Sequence, residues 1–376
     1  MKTVVCRIFI LSFLAFAMYA CTSKSSNAGD GTVDEVDVDG KNLLVCNFEN
    51  VTNEETWMLS DLVEDLNLIH FENKDEALFK AWFVSIYDNY IGVRQGQGPY
   101  KLFDKSGKYI ADAGAIGQGP GEYSISLYDD VIDEKSGIVY LAPFAHSSKI
   151  LAYDLTGKYI GDVEVPVKLK KPKLHLSKDG VLSFVHMAFT NDDIIAGQLD
   201  KERQLVKQIA PPENLRVQNF DGELWITRNT DAFEFHHTSV DSLFHYDLKE
   251  NKIYPVFTLT HNGENTFKQY IETKDYFITL AHGKNATVAT NKNAKTSSFI
   301  KLVNDFYGNM EMPISILNFR NGYYVLNLEP GQLIDMIQKR LEKSDCTQED
   351  KKVLQELLAT LDENANNVLF YGKLKR

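Results

Sequence analysis

Cysteine is scarce, with four in 376 residues. Cys6 and Cys21 sit near the N-terminus, and Cys46 and Cys346 are 300 positions apart. No CxxC and no Cys/His metal spacing occurs, which excludes a zinc module. The two distant cysteines read as separate buried thiols, with pairing in an oxidising compartment left as the alternative. No G-x-S-x-G elbow is present, and no Ser, His and Asp set has support beyond composition, so no nucleophilic hydrolase is legible. Positive charge is in deficit. Forty Lys and Arg against 52 Asp and Glu give −12, which argues against nucleic acid, whose binding depends on phosphate neutralisation. A local basic patch, Lys168–Lys173, is the exception. The apolar run Ile8–Tyr19 is shorter than the roughly 20 residues of a spanning helix.

What is present is a large apolar fraction, 44% hydrophobic and 11% aromatic, enough for an extensive core. At the N-terminus, Lys2 and Arg7 precede Ile8–Tyr19 and then Ala20-Cys21. That order describes a secretory signal over residues 1–20. Residues 21–40, small, polar and acidic, read as a flexible tether. The Ala20-Cys21 step resembles the lipobox of bacterial lipoproteins. The resemblance implies an acylated Cys21, a membrane partner through that lipid, and a cell-envelope location facing the periplasm or the outer surface.

From Leu43 onward, short Val/Ile/Tyr/Phe runs alternate with Gly, Asn, Asp and Lys turns, the pattern of successive strands. One phrase recurs as LFDKSGKYI (Leu102–Ile110), AYDLTGKYI (Ala152–Ile160), QLDKERQLV (Gln198–Val206), HYDLKENKIY (His245–Tyr254) and a degenerate ATNKNAKTSSFI (Ala289–Ile300). Its anchors Asp104, Asp154, Asp200, Asp247 and Asn291 step by 50, 46, 47 and 44 residues. A second phrase, a turn followed by a short apolar strand, has six copies, starting at Asp88, Ser136, Asp179, Asp221, Asp275 and Asn321. This period with several strands per unit is that of a β-propeller, in which neighbouring sheets cover one another's faces around an axis. The expectation is an all-β, six-bladed β-propeller over residues 41–376. A helical hairpin is inserted in the last blade at 330–365, where Leu333, Ile334, Ile337 and Leu341 share one helical face and Val353, Leu354, Leu357, Leu358 and Leu361 another. Thr347 and Asp350 form a capping-box-like start. The strand Asn67–Glu72 is expected to complete the blade of Asn367–Lys375.

LNLIHFEN, FDKSGKYI followed by GQGPGEY (Gly117–Tyr123), VDSLFHYDLKENKIYPVFTL (Val240–Leu259) and the closing hairpin resemble the six-bladed propeller lipoproteins of bacteria, relatives of NHL-repeat propellers. The resemblance spans nearly the whole mature chain. It implies fold and location more than chemistry.

Several stretches invite a chemical reading. Gly114–Tyr123 lacks the following helix that a phosphate cradle requires, so its glycines read as turn and close-passage residues at a blade junction. Asp129-Asp130 and Asp192-Asp193 read as solvated turn flanks. His236-His237 lie on a strand and point to opposite faces, so a shared metal is not expected. No metal and no cofactor are expected. The connectors from second to third strand and those between blades share one face. The residues placed there as ligand candidates are Arg94, Gln97, Glu122, His146, His186, Arg228 and His282, suited to an anionic or sugar-like small ligand or to an envelope protein. The expected function is therefore non-enzymatic binding through that face. Two alternatives stay open: a metal-dependent hydrolase or lyase at the channel mouth, and an envelope scaffold docking through the helical hairpin.

Overall fold

The computed structural model describes residues 29–262, 267–313, 315 and 317–375. The signal segment and Cys21 lie outside the described residues. Six antiparallel sheets surround an axis. Their first, innermost strands are Ala81–Ile86, Leu127–Asp133, Lys173–Leu176, Leu224–Trp225, Lys268–Glu272 and Phe319–Arg320 in blades one to six. Each gap between neighbouring blades holds one apolar cluster, six in all. Leu102, Tyr123 and Leu141 fill the gap between blades one and two, and Leu243, Phe257 and Phe277 that between four and five. A four-stranded sheet has two faces to cover, and only its neighbours around the ring can cover both.

The recurring phrase is the turn from third to fourth strand. Asp104 Oδ1 accepts from Ser106 N at 2.8 Å and Lys108 N at 3.1 Å. Asp154 Oδ1 does the same for Thr156 N at 2.8 Å and Lys158 N at 3.1 Å. Asp200, Asp247 and Asn291 also accept turn amides. Each anchor thus satisfies amides that the reversal of the chain removes from the sheet. Blade six has no such turn, because its fourth strand comes from the other end of the chain. Asn67–His70 pairs antiparallel with Val368–Lys373, from Val368↔His70 to Tyr371↔Asn67. Five anchors and six blades are therefore consistent. Five copies of the second phrase open a second strand. The fourth, from Asp221, leads instead into a first strand, Leu224–Trp225, and the second strand of that blade is Phe233–His237.

The segment expected as tether ends in structure. Val33–Val38 pairs with Lys41–Asn47 across a turn at Asp39-Gly40, both with positive φ (52° and 78°). Asp-Gly is the pair such a hairpin turn favours. Lys41–Asn47 then adds in parallel to the outer strand of blade four, and Asn53–Met58 to that of blade five.

The helical insertion joins the second and third strands of blade six as helices Pro330–Leu341 and Gln348–Leu358. Thr347 Oγ1 accepts from Asp350 N, and an Asp350 carboxylate oxygen accepts from Thr347 N, both at 3.1 Å. Leu333, Ile337 and Leu354 are fully buried with Met310, Met312 and Phe370. The apolar faces of the hairpin cover blades five and six. Cys46 and Cys346 are both buried and unpaired.

Candidate functional site

The inner strands run from the face of the interblade connectors (the connector face) to the face of the tight turns (the turn face). At the connector end, Phe83 of blade one meets Trp225 of blade four, diametrically across the ring, with centroids 5.8 Å apart. The row continues on both sides. Trp82 lies 6.2 Å from Phe83, Phe267 6.4 Å from Trp225, and His282 5.2 Å from Phe267. A β-bulge between Ala81 and Phe83 re-aims Trp82, so that neighbouring residues lie side by side. Trp82 is 50% and Phe267 49% exposed, while Phe83, Trp225 and His282 are half-buried. A second aromatic group, Tyr128, Phe144, His146, Phe189 and Phe220, borders the same face.

Below the rings the axis is filled by charge. Asp129 and Asp130, on the inner strand of blade two, are fully buried. Asp129 accepts from Arg320 Nη2 at 3.0 Å, from Leu174 N at 2.7 Å and from Arg228 Nη2. Arg320 also donates to Ser85 Oγ at 3.2 Å and to Ile226 O at 3.1 Å, linking four blades. Asp130 accepts from Tyr87 Oη at 3.1 Å and Tyr100 Oη at 3.2 Å, and lies 3.4 Å from Arg94 Nε. The Arg94 guanidinium sits 4.5 Å over the Phe83 ring, and Lys173 Nζ 4.0 Å over Tyr128. Burial alone pushes the Asp129 carboxyl up, but the surrounding Arg228, Lys173, Arg320 and Arg94 charges outweigh it and hold it well below the carboxylate range. Burial pushes Lys173 well below its ordinary value, with Asp129 opposing.

The turn face carries a depression of about 990 Å³, lined among others by Asp88, Arg228, Asn229, Glu272, Lys292 and Asn321. Arg228 is its deepest cation and has a left-handed φ of 58°. Its expected place on the connector face is therefore corrected. The residues before it form a first strand rather than a second, which puts it at the opposite end of the axis.

The remaining candidates divide. Arg94 and His282 join the aromatic row, and His146 joins the second aromatic group. Gln97 and Glu122 are exposed on the connector face. Glu122 folds back so that Oε2 accepts from Gly119 N at 2.7 Å, which makes it a cap of its own turn. His186 is fully buried, Nε2 lies 2.8 Å from Ile194 O, and burial lowers its pKa to about 4, so it is a neutral core histidine. The seven residues do not share one point.

Two expectations about charge are overturned. Asp129-Asp130 belong to the axis and not to a solvated turn. Most of the basic stretch is buried, although Lys168 is exposed: Lys170 pairs with Asp192 at 2.6 Å, Lys171 with Glu223 at 2.5 Å, and Lys173 donates to Tyr128 O at 3.1 Å. Among the described residues, no three His, Cys, Asp or Glu side chains lie within reach of a common metal position. No described helix is long and apolar enough to cross a membrane.

A family model described as a domain of unknown function, DUF4934, matches residues 43–373. No curated protein matches the chain. Among solved structures, an exported protein of Bacteroides fragilis is similar at 17% identity and TM-score 0.60, over 86% of this chain and 100% of that one. A member of the DUF4221 family from Bacteroides vulgatus is similar at 11% identity and TM-score 0.44, over 84% and 97%. A virginiamycin B lyase from Staphylococcus aureus is similar at 13% identity and TM-score 0.43, over 62% and 73%. At these identities only the first likeness bears on the fold, and it bears on nothing else.

Proposed function

The chain belongs to the DUF4934 family, a domain of unknown function, and we propose that it is an exported propeller, held at the membrane by a lipid on Cys21, that binds an oligosaccharide across its connector-face mouth. The observation that carries the binding is the ring contact between Phe83 and Trp225, extended by exposed Trp82 and Phe267. Large apolar side chains left exposed beside one another on one face mark an interaction site. Rings that follow one another at 5.2–6.4 Å suit an extended ligand built of rings more than a single small one. A stacked aromatic anchor contributes enough that its removal weakens binding on the order of tenfold.

The test is a glycan array followed by titration of the protein and of its Trp82→Ala and Phe267→Ala variants. Both residues are half exposed, so the fold should tolerate the change. Binding lost in both variants supports the reading, and binding unchanged in both refutes it. For the anchor, Cys21→Ser should move the protein from the membrane fraction to the soluble one. Retention on membranes counts against acylation.

A further inference from the structure

We infer that the oligosaccharide bound along this row is one whose sugar faces turn from unit to unit, and not a flat ribbon, a conclusion that rests on the aromatic-row reading above. No two neighbouring rings of the row are coplanar. The plane of Trp82 is inclined to that of Phe83 by 46°, Phe83 to Trp225 by 58°, Trp225 to Phe267 by 62°, and Phe267 to His282 by 30°. A sugar stacks by laying a flat face on a flat ring, and most of that attraction is lost once the surfaces part by about an ångström. A ribbon lying flat on one ring therefore meets the next ring only by an edge. A chain that rotates its faces by a similar angle at each link meets both.

The inclination follows from the fold. Six blades divide a full turn, so neighbouring inner strands are rotated by about 60° around the axis. Trp225 and Phe267 stand at the connector ends of the inner strands of blades four and five, and their planes differ by 62°. Trp82 and Phe83 are set apart locally, by the bulge between Ala81 and Phe83. The central rings do not swing to suit a ligand. Phe83 is backed by the Arg94 guanidinium at 4.5 Å and by that of Arg320 at 5.9 Å, both buried. Arg94 is in turn held by Asp130 and by the carbonyls of Leu127 and Tyr128. Trp225 lies in a strand paired with Phe233–His237, in register with buried His236. Rings fixed before the ligand arrives lose little freedom on binding, so their angles select its shape.

A matched pair of probes separates the two shapes: maltohexaose and cellohexaose. Both are neutral glucose chains of equal length. The first turns at each α-linkage, and the second is a flat β-linked ribbon. Each is titrated against the full chain by tryptophan fluorescence, since Trp82 and Trp225 are two of its three tryptophans. Maltohexaose should bind on the order of tenfold tighter than cellohexaose, the effect of about one additional stacked ring. In Phe267→Ala the gap should narrow, because only the turning chain uses Trp225 and Phe267 together. If that variant fails to fold, the comparison on the unaltered chain still decides. Equal or tighter binding of cellohexaose overturns the preference for a turning chain while leaving the aromatic row standing. A gap that a folded Phe267→Ala variant leaves unchanged overturns it as well, and so does absence of binding by both probes. Whether the row itself then falls is decided separately by the glycan array and the Trp82→Ala variant.

Discussion

Arg320 reaches Asp129 at 3.0 Å, joining blade six to blade two past the intervening blade one. The pair is wholly buried, and Arg228 shares the same carboxylate. Removing one partner of such a pair strands the others without solvent. Asp129→Ala should cost about 3–5 kcal/mol, measured by urea denaturation. A loss below about 1 kcal/mol would mean that the axis is not held by this carboxylate.

The same residue sets part of the acid response, and the buried histidines set another part. Burial lowers His175, His186 and His237 to about 4 and His236 to about 3. A histidine whose folded value lies below its unfolded value of about 6.5 takes up its proton more readily when unfolded. Stability is therefore fully present above pH ~6.5 and falls as pH drops toward about 4. Asp129, also depressed, adds a further loss that begins only below about pH 4, its unfolded value. Denaturation midpoints measured from pH 8 to 3 should decline in these two stages. His186→Gln should flatten the upper one, and an unchanged slope there would reject its assignment.

Leu354 is fully buried and lies over Gly308, where an added Cβ would come within 2.5 Å of the leucine Cγ. Leu354→Ala should cost about 2–5 kcal/mol, the range for a large-to-small change in a packed core. A near-neutral result would indicate that the helical hairpin is an appendage, free to dock elsewhere, and not the cover of blades five and six.

In the connector after blade one, a Cβ on Gly117 would meet Glu122 Oε2 at 2.0 Å. Glu122 is flexible and exposed, so Gly117→Ala should cost about 1 kcal/mol by displacing it from the Gly119 amide. In a double-mutant cycle, that cost should largely vanish when Glu122 is already alanine. Additive effects would show that the glycine serves the backbone alone.

The fold was legible because its punctuation is local. An Asp or Asn that accepts amides two to four residues ahead leaves its mark in a short phrase, and five such marks give the period. Capping residues such as Thr347 and Asp350 are equally local. The axis was not legible in the same way. Whether Asp129-Asp130 are solvated or buried depends on their strand being the first of its blade, which no neighbouring residue states. Arg228 shows the same dependence, since one strand's shift in blade four moves it from one end of the channel to the other. Val33–Val38 is a strand only because Lys41–Asn47 lies beside the edge of blade four. The aromatic row had a signal that went unused. AWF (Ala81–Phe83), LY (Leu127-Tyr128), LW (Leu224-Trp225) and FK (Phe267-Lys268) each place a large ring at the start of an inner strand.

The pairing of Asn67–His70 with Val368–Lys373 also governs when the molecule can exist. Some 300 residues separate the two partners, and the last of them is made last. Until the C-terminal strand arrives, blade six lacks its third strand, and Asn67–His70 has no edge to join. Long-range pairing of this kind is slow, because the chain entropy is lost before the contacts form. A chain made from its N-terminal end thus cannot lock into its final shape while it is still being made. It stays pliable until Val368–Lys373 exists, and the ring shuts only then.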